Sequence, residues 1–303
     1  MQAHYPNKWL ITLLLSLLLP TATLADDQFK DVEIKIQKAG NGVYMLTGHG
    51  GNLGVSAGPD GVFLIDDQFA PLTEKITAAI ATLSDKPIQF VLNTHWHPDH
   101  TGGNENHGNS GSVIMAHDNV RKRLSVDNFI EMFQMDAPAM GKSGLPVITF
   151  SDALTLHLNN DEILVTHVEN AHTDGDAVIF FKQANVIHTG DTYFAGMYPF
   201  IDSNSGGSVE GALKAIQKML AMADENTVII PGHGPMSNKS GLTAYSDMLQ
   251  TISDRIRTLV NKQASLEQVQ ASRPTQDYDK IYGDGFIKNE AFVEMLYQDM
   301  TRP

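Results

Sequence analysis

Residues 93–103 read Asn93-Thr94-His95-Trp96-His97-Pro98-Asp99-His100-Thr101-Gly102-Gly103 and directly follow the apolar run Ile88–Leu92. His95 and His97 are two residues apart, so in extended backbone both imidazoles project to the same side and suit one metal ion. Asp99 and His100 follow the bend at Pro98 and can serve a second ion nearby. Packing these four side chains together without a cation would leave several polar groups in need of partners. The stretch therefore predicts a metal site at the end of a strand.

Three further candidate ligands each follow an apolar run that is typical of a buried strand. They are His172 after Ile163–Val168, Asp191 after Val186–His188 and His233 after Val228–Ile230. Strand ends along one edge of a fold are where distant segments converge to build a site. A single histidine elsewhere is more often a hydrogen-bonded residue than a ligand. We apply that interpretation to His49, His107, His117, His157 and His167.

In order and spacing, these motifs resemble the metallo-β-lactamase superfamily over essentially the whole chain after residue 25. The resemblance implies an α/β fold, a four-layer αβ/βα sandwich with the site at the sheet edges. It implies two metal sets: His95, His97 and His172 for the first ion, Asp99, His100 and His233 for the second, with Asp191 bridging both. It also implies hydrolysis by a hydroxide that the two ions share, with Asp99 as the catalytic residue that orients it.

The ligand types narrow the choice of metal. Two adjacent cations lower the pKa of a shared water toward about 7, so hydroxide exists at neutral pH. Imidazole and carboxylate without thiolate suit zinc, and they also suit iron or manganese. We therefore expect two Zn²⁺ ions, with Fe or Mn as alternatives.

The run Asp191-Thr192-Tyr193-Phe194 bears on the substrate. Cysteine-containing β-lactamases place Cys in the second metal site and a Lys three residues later, which binds the drug carboxylate. A bridging Asp instead resembles the glyoxalase II, lactonase and general hydrolase branches. We therefore expect a small acyl-type substrate: an ester, thioester, lactone or amide. The alternatives are a secreted metallo-β-lactamase acting on β-lactam antibiotics, a non-catalytic metal-binding protein and a redox di-iron protein.

Residues 1–25 are typical of a secretory signal peptide. Lys8 precedes the apolar run Trp9–Leu19, and a polar stretch ends at Ala25. The pattern predicts a periplasmic or secreted protein whose mature chain starts near Asp26. A membrane span needs about 20 apolar residues, and Pro20 follows too soon, so we expect no stable membrane anchor.

Composition excludes several classes of site and partner. The chain has no cysteine, which rules out disulfides, thiolate ligands and a cysteine nucleophile. Its formal net charge of −14 repels phosphate backbones and argues against a nucleic-acid partner. The sequence carries no signal for a particular oligomeric state.

The chain after residue 25 has no linker or low-complexity tract, which favours one domain over residues 26–303, with a turn-broken helical extension over about 265–303. Further predicted strands are Val32–Ile36, Val43–Leu46, Leu53–Ala57, Val62–Ile65, Leu154–Leu158 and Ala177–Phe181. Predicted helices are 71–83, 209–223, 242–262 and 290–300.

Three segments allow two interpretations each. Residues Ser125–Leu145 are either an insertion near the site mouth or a helical connection that buries Phe129, Met132 and Phe133. The turn Gly50-Gly51-Asn52 is either an ordinary glycine-rich turn or a flank of the site. The side chains after the bridging aspartate either line a pocket or pack in the core: Tyr193, Phe194, Met197, Tyr198 and Phe200.

Overall fold

Fifteen β-strands fall within residues 27–302, the part of the chain that the computed structural model describes. In chain order they are β1 (Lys35–Gly40), β2 (Val43–Thr47), β3 (Leu53–Gly58), β4 (Gly61–Ile65), β5 (Ile88–Leu92), β6 (Val113–His117), β7 (Asn128–Ile130), β8 (Met135–Ala137), β9 (Ile148–Phe150), β10 (Ala153–Leu158), β11 (Asp161–His167), β12 (Ala177–Phe181), β13 (Val186–His188), β14 (Val228–Ile230) and β15 (Ser237–Asn238).

These strands form two large sheets and a separate hairpin. The first sheet has the order β1-β2-β3-β4-β5-β6-β9, antiparallel as far as β4 and parallel from β4 to β9. The second has the order β10-β11-β12-β13-β14-β15 and is antiparallel except for the parallel pair β13 and β14. Within the described residues, strands β7 and β8 pair with each other and with no other strand.

Nine helices connect and cover the strands within the same residues. They are α1 (Thr73–Ala81), α2 (Pro98–Thr101), α3 (Asn104–Asn109), α4 (Asp118–Leu124), α5 (Val209–Met222), α6 (Lys239–Val260), α7 (Leu266–Ala271), α8 (Asp279–Tyr282) and α9 (Asn289–Thr301). Helix α6 begins three residues before its predicted start because the Asn238 side chain caps it, accepting a hydrogen bond from the Gly241 amide.

The alternation of side chains along the strands separates the layers. On β4, Phe63 and Ile65 face the second sheet, whereas Val62 and Leu64 face outward toward α1. Successive strand residues point to opposite faces, so each sheet buries one face against the other sheet and one against helices. On the outer face of the second sheet, the cover consists of α5, α6 and the helices after residue 265. The four-layer αβ/βα sandwich is therefore confirmed.

The strand directions bring several loops to one place. Strands β4, β5 and β6 are parallel, and β13 is parallel to β14, so their carboxyl ends lie together at one edge of each sheet. Backbone hydrogen bonds join the two edges: the Ala177 amide donates to the Thr94 carbonyl at 2.8 Å, and the Asn52 amide donates to the Gly232 carbonyl at 2.7 Å. Segments that are distant in sequence therefore form one hydrogen-bonded rim.

The predicted strand Val32–Ile36 is wrong in position, because β1 begins only at Lys35. This edge strand exposes four of its first residues, so its register follows from pairing with β2, which an apolar pattern does not report. Val32 and Ile34 pack instead against the outer core of the first sheet. Strands β6 and β9 were not predicted at all, and both complete the parallel part of that sheet.

Residues 125–145 do not form a helical connection. They contain the hairpin of β7 and β8 joined by a 3₁₀ turn over Glu131–Phe133. The three side chains that a helical connection would bury remain 39–47% exposed: Phe129, Met132 and Phe133.

The predicted signal peptide of residues 1–25 and the predicted start near Asp26 lie outside the described residues. Within residues 27–302, no helix is both long and apolar enough to span a bilayer.

The packing between the sheets predicts a large stability difference between two phenylalanines. Phe181 is fully buried, with its ring 6.4 Å from that of Phe63, whereas Phe129 on the hairpin is 47% exposed. Phe181→Ala should lower the free energy of unfolding by about 3–5 kcal/mol because it leaves a core cavity. Phe129→Ala should change it by no more than about 0.5 kcal/mol. Urea unfolding at equal metal content measures both, and equal unfolding midpoints would contradict the layer assignment.

Candidate metal centre

All seven residues that the sequence indicated as ligands meet at the rim formed by the strand ends. His95 and His97 lie in the turn after β5, Asp99 and His100 in α2, His172 after β11, Asp191 in a 3₁₀ turn after β13, and His233 after β14. Their nearest ring nitrogens and carboxylate oxygens form overlapping groups of three in which the atoms lie within 4.8 Å of one another.

The first group consists of three imidazoles. The Nδ1 atom of His97 lies 3.1 Å from Nε2 of His95 and 2.9 Å from Nε2 of His172. Tetrahedral zinc with nitrogen ligands at about 2.0–2.1 Å separates neighbouring ligand atoms by about 3.3 Å. The three nitrogens therefore fit around one small divalent ion.

The second group combines a carboxylate with two imidazoles. The Oδ2 atom of Asp99 lies 3.2 Å from Nε2 of His233 and 3.5 Å from Nε2 of His100, and these two nitrogens are 3.4 Å apart. The side chain of Asp99 is 25% exposed, whereas that of His100 is fully buried. This group therefore also fits one ion and has an accessible side at Asp99.

Asp191 lies between the two groups. Its Oδ1 is 3.1 Å from Nε2 of His100, and its Oδ2 is 3.3 Å from Nε2 of His233. The same Oδ2 lies 3.7 Å from His172 and 3.9 Å from His95. One carboxylate thus reaches ligand atoms of both groups, which is the position that a bridging ligand requires.

Outer hydrogen bonds fix which ring nitrogen faces the centre. Nδ1 of His100 donates to Oδ2 of Asp66 at 2.7 Å, and Nδ1 of His172 donates to the Phe200 carbonyl at 2.8 Å. Carboxylate and carbonyl oxygens only accept, so in each neutral ring the proton is on Nδ1 and the lone pair of Nε2 points to the centre. Such outer partners orient ligands and raise their basicity.

The other two rings of the first group are held in the same way. Nε2 of His97 donates to Oδ2 of Asp202 at 3.0 Å. The Thr94 hydroxyl donates to Oδ2 of Asp66 at 2.8 Å and lies 3.0 Å from Nδ1 of His95, from which it can accept. Asp66 therefore supports one ring directly and a second through Thr94.

Asp66 and Asp202 are site residues that sequence reasoning missed. Asp66 follows β4 just as the ligands follow their strands, and its left-handed backbone (φ 58°) marks a specialised turn, so the strand-end rule could have found it. Asp202 lies in a loop far from any motif, and its partner His97 is 105 residues away. No local pattern signals that contact.

The electrostatics favour a cation at the centre. Burial lowers the pKa of His172 to about 4 and holds the pKa of His95 well below its usual value. Burial also opposes the charge of His233, but Asp191 and Asp99 outweigh it and raise its pKa to about 9. Burial opposes ionisation of Asp99, and the charge of His100 together with His233 nevertheless lowers its pKa to about 2. The rings of His95 and His172 are therefore neutral at pH 7. The ionised Asp99 lies on the other side of the centre, where it attracts positive charge.

Two glycines give the ligands room. A Cβ atom on Gly51 would lie 2.1 Å from the ring of His100, and one on Gly232 would lie 2.1 Å from Oδ1 of Asp191. Either side chain would displace a ligand. The turn Gly50-Gly51-Asn52 therefore flanks the site, and its Asn52 side chain donates to the carbonyls of Pro231 and Gly234 on either side of His233, both at 2.9 Å.

The centre opens into a cleft of about 380 Å³. It is lined by His49, Phe69, His97, Asp99, Ile130, Phe133, Met135, Asp191, Phe200, His233 and Phe286. The hairpin of β7 and β8 supplies three of these residues, which places residues 125–145 at the site mouth. Of the five side chains after Asp191 that were considered, only Phe200 lines the cleft. Tyr193, Phe194 and Tyr198 are buried in the core, and the ring of Phe194 stacks on that of His233.

The remaining histidines stay outside the metal-binding groups found among residues 27–302. His49 is exposed at the rim of the cleft, where it lies edge-on to Phe29. Burial lowers the pKa of His107 to about 4, and His117 stacks on His167 with ring centroids 3.8 Å apart.

Comparisons with known sequences agree with this geometry. A family model described as the metallo-beta-lactamase superfamily matches residues 46–233. Hydroxyacylglutathione hydrolase of Polaromonas sp. (strain JS666 / ATCC BAA-500) is 29% identical over 178 residues, which are 57% of this chain and 59% of that protein. The probable metallo-hydrolase YqgX of Bacillus subtilis (strain 168) is 29% identical over 191 residues, 57% of this chain and 83% of that protein. The chain thus spans less than two thirds of the first relative's length.

Solved structures share the fold. The metallo-beta-lactamase from Pontibacter korlensis superposes with a TM-score of 0.58 at 21% identity, covering 72% of this chain and 99% of that one. The sec-alkylsulfatase Pisa1 from Pseudomonas sp. gives a TM-score of 0.69 at 16% identity, covering 88% of this chain and 50% of that one. The family model extends from β2 to the last ligand, His233, and covers more than half of the sequence. The chain therefore belongs to the metallo-beta-lactamase superfamily.

Proposed function

We propose that the chain is a dinuclear, metal-dependent hydrolase that cleaves a small ester, thioester, lactone or amide. The observation that carries the proposal is the pair of ligand groups joined by Asp191 and open to a cleft at Asp99. The two relatives named above carry hydrolase names, which supports the reaction class.

The donor atoms of this site are five imidazole nitrogens and two carboxylates, which fit zinc and also fit iron or manganese. When bound, such ions supply Lewis acidity and lower the pKa of a water so that hydroxide is available at neutral pH. The fit of the nitrogen spacing to tetrahedral coordination makes zinc our first choice.

The residues around the centre have separate tasks in this proposal. Asp99 is the most accessible carboxylate of the site, so it can orient the attacking water and accept its proton. Asp66 and Asp202 hold the rings of His100 and His97 and keep them from rotating. The water oxygen forms a bond to the acyl carbon, the bond from that carbon to oxygen, sulfur or nitrogen breaks, and the proton that Asp99 accepted passes to the leaving atom. The products are a carboxylic acid and an alcohol, thiol or amine.

The cleft favours a neutral substrate over a β-lactam antibiotic. No lysine or arginine is among its lining residues in the part of the chain between 27 and 302, and Phe194 is buried behind His233. A drug carboxylate would therefore find no charge-assisted partner there. A non-catalytic metal-binding role, or a redox di-iron role, does not account for an orienting carboxylate at the mouth of a cleft of ligand size.

Export of the protein belongs to the same proposal. It rests on the signal-like composition of residues 1–25, and it places a small-molecule hydrolase without cysteine in the periplasm or outside the cell.

The purified protein should bind two metal ions per chain. The ligands divide into two groups of three with Asp191 between them. Elemental analysis after saturation with zinc and removal of free metal measures the ratio. His233→Ala should lower it toward one, and His157→Ala, at an exposed position on β10, should leave it at two. One ion or fewer in the unmutated chain would count against the second group.

Asp99→Asn should lower kcat about a hundredfold or more while the unfolding midpoint barely moves. The change keeps the shape of the side chain and removes the charge that orients the water, and the loss of one such preorganised group commonly has this size. Steady-state kinetics on the best substrate provide the test. Asp136→Asn, at an exposed position on β8, is the matched control. Unchanged turnover in Asp99→Asn would contradict its assigned role.

Neutral esters or lactones should exceed penicillins and cephalosporins in kcat/KM by about tenfold to a hundredfold. The reason is the missing charge-assisted hydrogen bond, which contributes about 1.5–3 kcal/mol. Both substrate classes are assayed on one zinc-loaded preparation, with Asp191→Ala as the inactive control. Efficient β-lactam turnover beside poor ester and lactone turnover would make a secreted β-lactamase the better proposal.

A further inference from the structure

The cleft above the metal centre has an apolar wall whose two most exposed members, Phe133 and Phe286, come from separate segments of the chain. We propose that this wall binds an apolar acyl chain, so that the enzyme prefers medium-chain acyl substrates over short ones. The inference rests on the proposed hydrolase function and specifies its substrate class.

Phe133 belongs to the turn of the β7–β8 hairpin. Its side chain is 44% exposed, and its ring lies edge-on to that of Phe200 with centroids 5.1 Å apart. The Phe200 ring in turn stacks on the candidate ligand His97 at 5.7 Å. Phe133 therefore continues an aromatic surface that starts at the first ligand group.

Phe286 lies between α8 and α9, beyond residue 233, where the family match ends. Its side chain is 48% exposed. Its ring is 5.4 Å from that of His233 and 6.2 Å from that of Phe133. The C-terminal helices thus extend the wall from the first ligand group to the second, using a residue outside the shared family segment.

The wall continues with side chains that are also apolar. Ile130, Met135 and Phe69 line the same cleft, and no lysine or arginine does so among residues 27–302. Exposed aromatic surface beside a site is unfavourable in water unless a ligand covers it, and contiguous apolar patches of this kind mark binding sites. A cleft of about 380 Å³ lies within the range of small-ligand pockets.

The position of the wall determines which part of the substrate it contacts. Asp99 and Asp191 also line the cleft, so a scissile carbonyl placed beside them leaves the rest of the molecule against Phe133 and Phe286. Burying methylene groups against an apolar surface is favourable, so even partial burial of the four additional methylenes of a six-carbon acyl chain gives a measurable preference over a two-carbon one.

Hydrolysis of ethyl acetate and ethyl hexanoate by the zinc-loaded chain tests the proposal, with acid release as the readout. These esters share a small leaving group and differ only in the acyl chain. We expect kcat/KM to be at least about tenfold higher for the hexanoate. Phe133→Ala and Phe286→Ala should each lower the hexanoate value at least about fivefold and change the acetate value less than about twofold.

Phe129→Ala is the matched control, because Phe129 is on the same hairpin, is equally exposed and does not line this cleft. Phe129→Ala should leave kcat/KM unchanged for both esters. Hydrolysis of both esters without a chain-length preference would overturn the apolar wall and leave the hydrolase proposal standing.

If neither ester is hydrolysed, the result counts against the hydrolase proposal. A binding measurement then tests separately whether the apolar wall binds an acyl chain. Acetohydroxamate and hexanohydroxamate both carry a metal-chelating head group, and calorimetry on the zinc-loaded chain compares their affinities. We expect about tenfold tighter binding of hexanohydroxamate, reduced in Phe133→Ala and Phe286→Ala but not in Phe129→Ala. Equal affinities, or no binding of either hydroxamate, would overturn the proposal.

Discussion

The concentration of charge at one sheet edge is the constraint on which the rest of this structure depends. Four aspartates lie in contact with five imidazoles there: Asp66, Asp99, Asp191 and Asp202. Buried charges cost several kcal/mol each unless a partner compensates them. The two divalent cations that we propose would balance the four negative charges of these carboxylates. Positive charge at this edge would therefore stabilise it, and the strand ends, the glycines Gly51 and Gly232 and the outer hydrogen bonds hold the candidate ligands in place.

Different parts of the fold supply the candidate metal ligands and the walls of the cleft. Parallel neighbours such as β4 and β5, or β13 and β14, direct their carboxyl ends to one rim, so the candidate ligands follow hydrogen-bonded strands. The apolar side chains that we propose face a substrate come mainly from the hairpin and from the segment after α8, with Phe69 and Phe200 beside them. The hydrogen bonds that orient the ligand rings come from Asp66, Asp202 and the Phe200 carbonyl, so replacing the Phe133 or Phe286 side chain removes none of them.

Sequence reasoning worked where local periodicity carries the information. The two-residue spacing of His95 and His97 and the apolar runs at β5 and β12 are properties of adjacent residues, and the superfamily and the fold were confirmed. The position of His172, Asp191 and His233 after apolar runs correctly predicted that they meet at the same rim. Sequence reasoning failed for β1, whose exposed edge has no apolar pattern, and for β9, which is three residues long. The contact of Asp202 with His97 and the approach of Phe286 to His233 depend on packing between segments far apart in the chain, which no spacing rule reports.

The distribution of the ligands along the chain has a consequence for folding. His95 is contributed by the first sheet and His233 by the second, so the proposed ions tie together segments separated by nearly half of the sequence. Closing such a long loop removes conformational entropy from the unfolded chain, as a disulfide does. With the proposed ions bound, a chain without cysteine would have a reversible crosslink whose strength follows the availability of metal. When little metal is available, the two sheets would lose that crosslink and the chain would unfold more readily. Its resistance to proteolysis would therefore report the supply of metal.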